Sequence, residues 1–179
     1  GKTELPRALV LGPAVTHSPE TVDFVLVDPD GMGMARALSR LPHVAASVAD
    51  FWDEPSLSAR LRDVLHGELS RRRELLRSGG FADVGAYEEA RAAGATLPPL
   101  PALVVVVEEA DELLVHEPGW RDLLVRQMRI GRVLGVHVLL VSERWPEQLE
   151  APTTWRRAPR RWWPRSPSTG AGRPRRGYG

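Results

Sequence analysis

Apolar positions in this chain recur with two different periods, and the switches between them mark out its elements. Residues 3–15 carry Leu5, Leu9 and Val10 on one face of a predicted helix, where Pro6 is tolerable only in the first turn. A turn or helix start at residues 18–20 leads to TVDFVLVD, residues 21–28, an apolar run ending in an acid that predicts a buried strand. PDGMG, residues 29–33, is a loop, residues 34–40 a short helix and residues 43–49 a second strand.

The longest signal covers residues 56–78. Leu57, Leu61, Val64, Leu65, Leu69, Leu75 and Leu76 make one stripe of a helix, with Arg60, Arg62, Arg71, Arg72 and Arg73 on its polar sides. Gly79-Gly80 ends it, and Asp83 can cap a further helix reaching Arg91. Residues 94–101, GATLPPLP, cannot be helical. ALVVVV, residues 102–107, has the unbroken β-branched character of a central strand and runs into EEADELL. An amphipathic helix over residues 121–133 then precedes GVHVLLVSER, residues 135–144, a buried strand with a polar end. Such alternation predicts an open α/β sheet, mostly parallel, with helices on both faces and ligands at the carboxyl ends of its strands.

After Arg144 neither period continues. Residues 145–179 are dominated by Arg, Pro, Gly, Ser, Thr and Trp, and read as a disordered tail behind a domain at residues 1–144. Charge divides the same way. Residues 1–150 hold 16 basic and all 23 acidic side chains, a net −7, and residues 151–179 add eight arginines and no acid. At 179 residues without cysteine, the chain suits one core-bearing domain with no disulfide and no cysteine-held metal. It has no signal peptide and no apolar run long enough to span a bilayer, so a cytoplasmic domain without direct membrane contact is expected.

Candidate chemistry begins at the first residues. Gly1-Lys2-Thr3 matches the end of a phosphate-binding loop, G-x-x-x-x-G-K-[ST], in which lysine bridges terminal phosphates and the hydroxyl ligates Mg2+. Lys2 is the single lysine beside 23 arginines, in the one place such a loop requires it. About a hundred residues on, Glu108 and Glu109 end the ALVVVV strand as a pair of Walker B acids would, one for the metal and one for the attacking water. The strand ending in Ser142, Glu143 and Arg144 suits a sensor beside them.

With these residues in view, the chain resembles the FtsK/SpoIIIE family of hexameric P-loop motors, and most closely the EccC ATPase domains of actinobacterial type VII secretion systems. The resemblance runs collinearly through residues 1–144 and is most specific over residues 66–114. It implies a RecA-like P-loop fold that here lacks its first strand, and ATP with Mg2+ as ligands. Gly1, Lys2, Thr3, Ser142 and Arg144 are implied to bind nucleotide, Thr3 and Glu108 the metal, and Glu108 and Glu109 to be catalytic. Arg129 and Arg132 fall where such motors often place arginines toward a neighbouring subunit; a solvated helix face is the alternative.

Several positions depart from the family pattern. The strand and first half of the phosphate loop do not precede Gly1, Asp-Glu becomes Glu108-Glu109, and Ser-Gln-Arg becomes Ser142-Glu143-Arg144. The D-F-K-G-G loop becomes DPDGM, residues 28–32, and Pro6 replaces a helix-favouring residue. A degenerate ATPase domain with weak nucleotide binding and negligible turnover is therefore expected. Implied partners are neighbouring ATPase domains or subunits, a hexamer in the family, and small helical secreted substrates, with the parent protein anchored at the cell membrane. A non-catalytic docking module and an FtsK-type DNA translocase are the alternatives, and the acidic body argues against DNA. For residues 145–179 two readings compete, a nucleic-acid-binding tail and out-of-frame translation; the change of grammar where the resemblance ends favours the second.

Overall fold

The computed structural model describes residues 4–50, 52, 54–144 and 149. The readings made for Gly1, Lys2 and Thr3, and for the tail beyond Arg144 apart from Leu149, fall outside them.

The chain folds in the order α1 (Glu4–Thr16), β1 (Val22–Asp28), α2 (Ala35–Leu38), β2 (Val44–Ala49), α3 (Pro55–Ser78), α4 (Val84–Ala92), β3 (Ala102–Val107), α5 (Ala110–His116), α6 (Gly119–Leu134) and β4 (Val136–Leu140). The strands form one parallel sheet in the order β2-β1-β3-β4. Both faces are covered, so the strands are apolar on both sides. Phe24, Leu26 and Val106 face α1 and α2, where they meet Val10, Met34, Ala35 and Leu38. Val25, Val27, Val105 and Val107 face the larger core built by Leu61, Leu65, Leu69 and Leu76 of α3 with Leu113 of α5 and Trp120, Leu123 and Leu124 of α6. Trp120 donates its indole N–H to the buried Ser58 hydroxyl at 2.9 Å, joining α6 to α3.

The expected elements are present, with three instructive shifts. Pro6 does fall in the first turn of α1, but the helix also contains Pro13, which withholds an N–H from it. The last strand starts at Val136, because Gly135 is spent in a left-handed conformation (φ 68°) closing α6, and it stops at Leu140, short of Arg144. The helix α5 is additional. Glu109 turns the chain sharply out of β3 with φ 46°, so EEADELL is a corner followed by two turns of helix. Asp83 caps α4 as anticipated, accepting the Ala86 N–H at 2.9 Å. Among the described residues no helix is long and apolar enough to cross a membrane.

One core position is poorly matched to its surroundings. Gln127 of α6 is 1% exposed, and neither atom of its amide has a hydrogen-bond partner. Replacing it with methionine, of similar volume and without the unmet amide, is expected to raise unfolding stability by about 1–2 kcal/mol, read as a higher urea midpoint at unchanged slope. An unchanged or lower midpoint would show that the amide is satisfied in solution.

Candidate functional site

The sheet topology selects a location. β1 leads through α2 to β2 on one side, whereas β3 leads through α5 and α6 to β4 on the other, with the connecting helices on opposite faces. The carboxyl ends of β1 and β3 therefore flank the point where strand order reverses, the crevice where open α/β sheets bind ligands. Asp28 ends β1 and Glu108 follows β3; the Glu108 N–H donates to the Val27 carbonyl at 2.9 Å, continuing the pairing.

Strand alternation turns both side chains toward α1 and α2, and there they are buried, Asp28 to 1% and Glu108 to 6% exposure. The intervening loop satisfies them. Asp28 Oδ1 and Oδ2 accept the N–H groups of Gly31 and Gly33 at 3.0 and 2.9 Å, and Glu108 Oε2 accepts the Met34 N–H at 2.8 Å. Gly33 lies directly against the Glu108 carboxylate, so a Cβ there would overlap it. Burial pushes the Glu108 carboxyl above the usual range; the Met34 N–H opposes this, and the nearby charges of Asp28 and Glu109 add to it. Asp28 is raised for the same first reason, against the two backbone donors.

Helix α1 supplies the remaining wall. It runs opposite to β1, to which residues 17–21 join it, and Val10 shares a cluster with Val106. Arg7, one turn nearer the strand tips, thus lies over the position two residues beyond Val106, which is Glu108, and its charge acts to lower the Glu108 pKa. Its Nε is buried without a partner, and its Nη1 is a loose 3.7 Å from Glu4.

Of the expected site residues, Glu108 and Glu109 stand at the crevice. Glu109 is held in left-handed backbone, a conformation uncommon for a residue with a side chain and typical of functional corners. Ser142 and Arg144 lie past the end of β4 rather than on it, and the Ser142 hydroxyl donates to the Arg144 carbonyl. Arg129 and Arg132 are exposed on the last turns of α6, which end where β4 begins, at the opposite edge of the sheet from the strand tips. Gly33 and Arg7 were not singled out from the sequence as parts of the site, and Asp28 only within the DPDGM loop, as a departure from the family pattern. The acid ending TVDFVLVD and the three-residue step from Arg7 to buried Val10 were the available signals.

Carboxylates offered by one or two side chains suit Mg2+, which takes its other ligands from phosphate and water. Among the described residues no group of three or more His, Cys, Asp or Glu could hold a metal by itself. Glu108 has one oxygen committed to Met34, and its Oε1 accepts no bond from the described residues. The donor set fits a cation that arrives with its phosphates and meets the protein through few contacts.

An all-parallel sheet with an acid-tipped central strand, covered near that tip by the chain's first helix, defines a P-loop ATPase-type α/β domain. The FtsK/SpoIIIE family model matches residues 1–147, and the chain belongs to that family. It is 48% identical over 148 residues to the ESX secretion system protein EccC of Thermomonospora curvata, a match covering 82% of this chain and 11% of that protein. Among solved structures, the cytoplasmic domain of the type VII secretion ATPase EccC from T. curvata superposes with a TM-score of 0.77 at 48% identity, covering 81% of this chain and 17% of that one. The T. curvata EccC structure containing ATPases 2 and 3 with a signal sequence peptide gives a TM-score of 0.69 at 26% identity, over 84% of this chain and 27% of that one. The chain thus spans about a tenth of the length of the curated relative and under a third of either solved chain.

Proposed function

We propose that this chain is the nucleotide-binding part of an EccC-like motor, in which ATP binding and hydrolysis drive export of small helical proteins. The observation that carries the reading is the pair of buried acids, Asp28 and Glu108, at the topological switch point beneath the helix that follows Lys2-Thr3. Lys2 would bind the terminal phosphates, and the Thr3 hydroxyl with Glu108 would hold Mg2+. The bound metal supplies charge neutralisation at the phosphates. Glu109, fixed at its corner, accepts a hydrogen bond from the attacking water and orients it for in-line attack. Turnover is expected to be slow, because the acid pair Glu108-Glu109 departs from the family's Asp-Glu.

Neighbouring ATPase domains or subunits are the proposed structural partners, within a parent anchored at the membrane. A signal peptide is the proposed substrate element, as bound by the EccC ATPases 2 and 3 of T. curvata. A non-catalytic docking module is the second reading, supported by the same departures from the family pattern at Glu108-Glu109, residues 28–32 and Ser142-Glu143-Arg144. Calorimetric titration with a helical substrate peptide, with and without ATP and Mg2+, separates the two. Peptide affinity that changes with ATP supports the motor, and affinity indifferent to ATP supports the module. A DNA translocase is disfavoured by the net −7 of residues 1–150.

A further inference from the structure

We propose that Asp28 is a positioning residue, which folds residues 28–34 into a clasp that fixes the Glu108 carboxylate with one oxygen committed to the loop and the other left for a ligand. The clasp has two linked halves. In the first, the Asp28 carboxylate takes the N–H groups of Gly31 and Gly33, one on each oxygen. This wraps five residues around a single buried side chain. Gly31 adopts φ 68° to make the turn, which favours a residue without a side chain.

In the second half, the loop so formed is delivered onto a different strand. Gly33 is brought against the Glu108 carboxylate, at a spacing that leaves no room for a Cβ. The next residue, Met34, gives its N–H to Glu108 Oε2 at 2.8 Å. Met34 itself is 1% exposed, and its carbonyl accepts the Leu38 N–H at 3.0 Å, so the clasp continues into α2. Asp28 thus acts on Glu108 without contributing a bond to it, through Gly33 and Met34. The length of the Glu108 side chain belongs to the same arrangement. An aspartate at the end of β3, one methylene shorter, would fall short of the Met34 N–H, whereas Gly33 makes room for the longer acid.

A carboxylate free to rotate offers a metal either oxygen or both. The clasp restricts Glu108 to a single oxygen in one orientation, suiting one water-mediated contact. The geometric part stands on the hydrogen bonds alone; its consequence for a metal-bound nucleotide rests on the proposed function. The experiment therefore has two readouts on the full 179-residue chain.

The first is amide hydrogen exchange by NMR in the wild type, Asp28→Asn and Gly33→Ala. Asparagine keeps the shape of Asp28 but presents one acceptor in place of two. Exchange at Met34, whose acceptor is Glu108 and not residue 28, is expected to accelerate about tenfold or more in Asp28→Asn, while Val105 and Val106 stay protected. Gly33→Ala, which pries the loop from Glu108 with Asp28 intact, is expected to accelerate Met34 similarly and to leave Gly31 protected. Met34 protection unchanged in both variants overturns the clasp.

The second readout is the affinity for a non-hydrolysable ATP analogue with and without Mg2+. The gain conferred by Mg2+ is expected to shrink about tenfold in Asp28→Asn, with the Mg2+-free affinity retained. An equal loss with and without Mg2+ overturns the positioning role. A wild type whose affinity ignores Mg2+ overturns the nucleotide reading instead, and the Met34 result still decides the clasp.

Discussion

Arg72→Ala is expected to cost about 2–4 kcal/mol of unfolding stability, enough to leave a domain of this size marginal. Arg72 is 2% exposed, yet each nitrogen of its guanidinium has a partner. Nε donates to Glu68 Oε1 at 2.7 Å, Nη1 to the carbonyls of Leu134 and Gly135 at 3.1 and 3.2 Å, and Nη2 to the Pro101 carbonyl at 2.8 Å. Those carbonyls lie at the end of α6 and just before β3, so one side chain of α3 ties down the entries to both β3 and β4. Alanine would take this donor from the Leu134 and Pro101 carbonyls, whereas the Gly135 carbonyl keeps the Leu103 N–H and Glu68 keeps Arg71. Lysine would keep the charge but lacks the planar fork, and is expected to recover little.

The same bond carries a pH signature. Burial pushes the Glu68 carboxyl up, but the hydrogen bonds from Arg71 and Arg72 outweigh it and hold the group below its ordinary value. A carboxylate whose folded pKa is depressed stabilises above its unfolded pKa, and that contribution is lost as pH falls through the folded value. The gap between wild type and Arg72→Ala should therefore be widest near neutrality and narrow below about pH 4.5. A loss under about 1 kcal/mol at neutral pH would mean that the guanidinium is solvated and that β3 and β4 are anchored elsewhere.

Gly131→Ala is the second large effect, and its sign is the informative part. In an ordinary helix interior the change stabilises by up to about 1 kcal/mol. Here a Cβ on Gly131 would overlap the Val136 carbonyl oxygen. That atom belongs to the backbone of β4, held beside β3 through the pairing of Val136 with Leu103. Only Gly135 separates α6 from β4, so neither partner has slack. A loss of about 3 kcal/mol is expected from this overpacking. Urea unfolding of the variant measures it, and a gain in stability would show that α6 and β4 stand further apart than described.

The central strands β1 and β3 were legible because each is a nearly pure apolar run with both faces covered; ALVVVV fell on β3 without adjustment. The helix α5 was not, since what separates it from β3 is the backbone conformation of Glu109 rather than a Gly or Pro. The acids at the strand tips were readable one by one as ends of apolar runs. Their juxtaposition was not, because β1 and β3 are about eighty residues apart and only the strand order makes them neighbours. The same holds for Gly33, which reads locally as a loop glycine and whose reason lies against Glu108. Arg72 looked like one of several polar-face arginines on α3, as its neighbours Arg71 and Arg73 are. Helical position alone places it close to the buried stripe, but its partners Pro101, Leu134 and Gly135 lie at the start of β3 and the end of α6, far along the chain.

Whether Lys2 and the strand-tip acids serve one nucleotide is tested most directly by calorimetric titration of the 179-residue chain with ATP and Mg2+, beside the variants Lys2→Ala and Glu108→Ala. The expected result is weak, saturable binding in the wild type that falls about tenfold or more in each variant. Binding that is absent from the wild type, or equally strong in all three proteins, would contradict a nucleotide site at this end of the sheet.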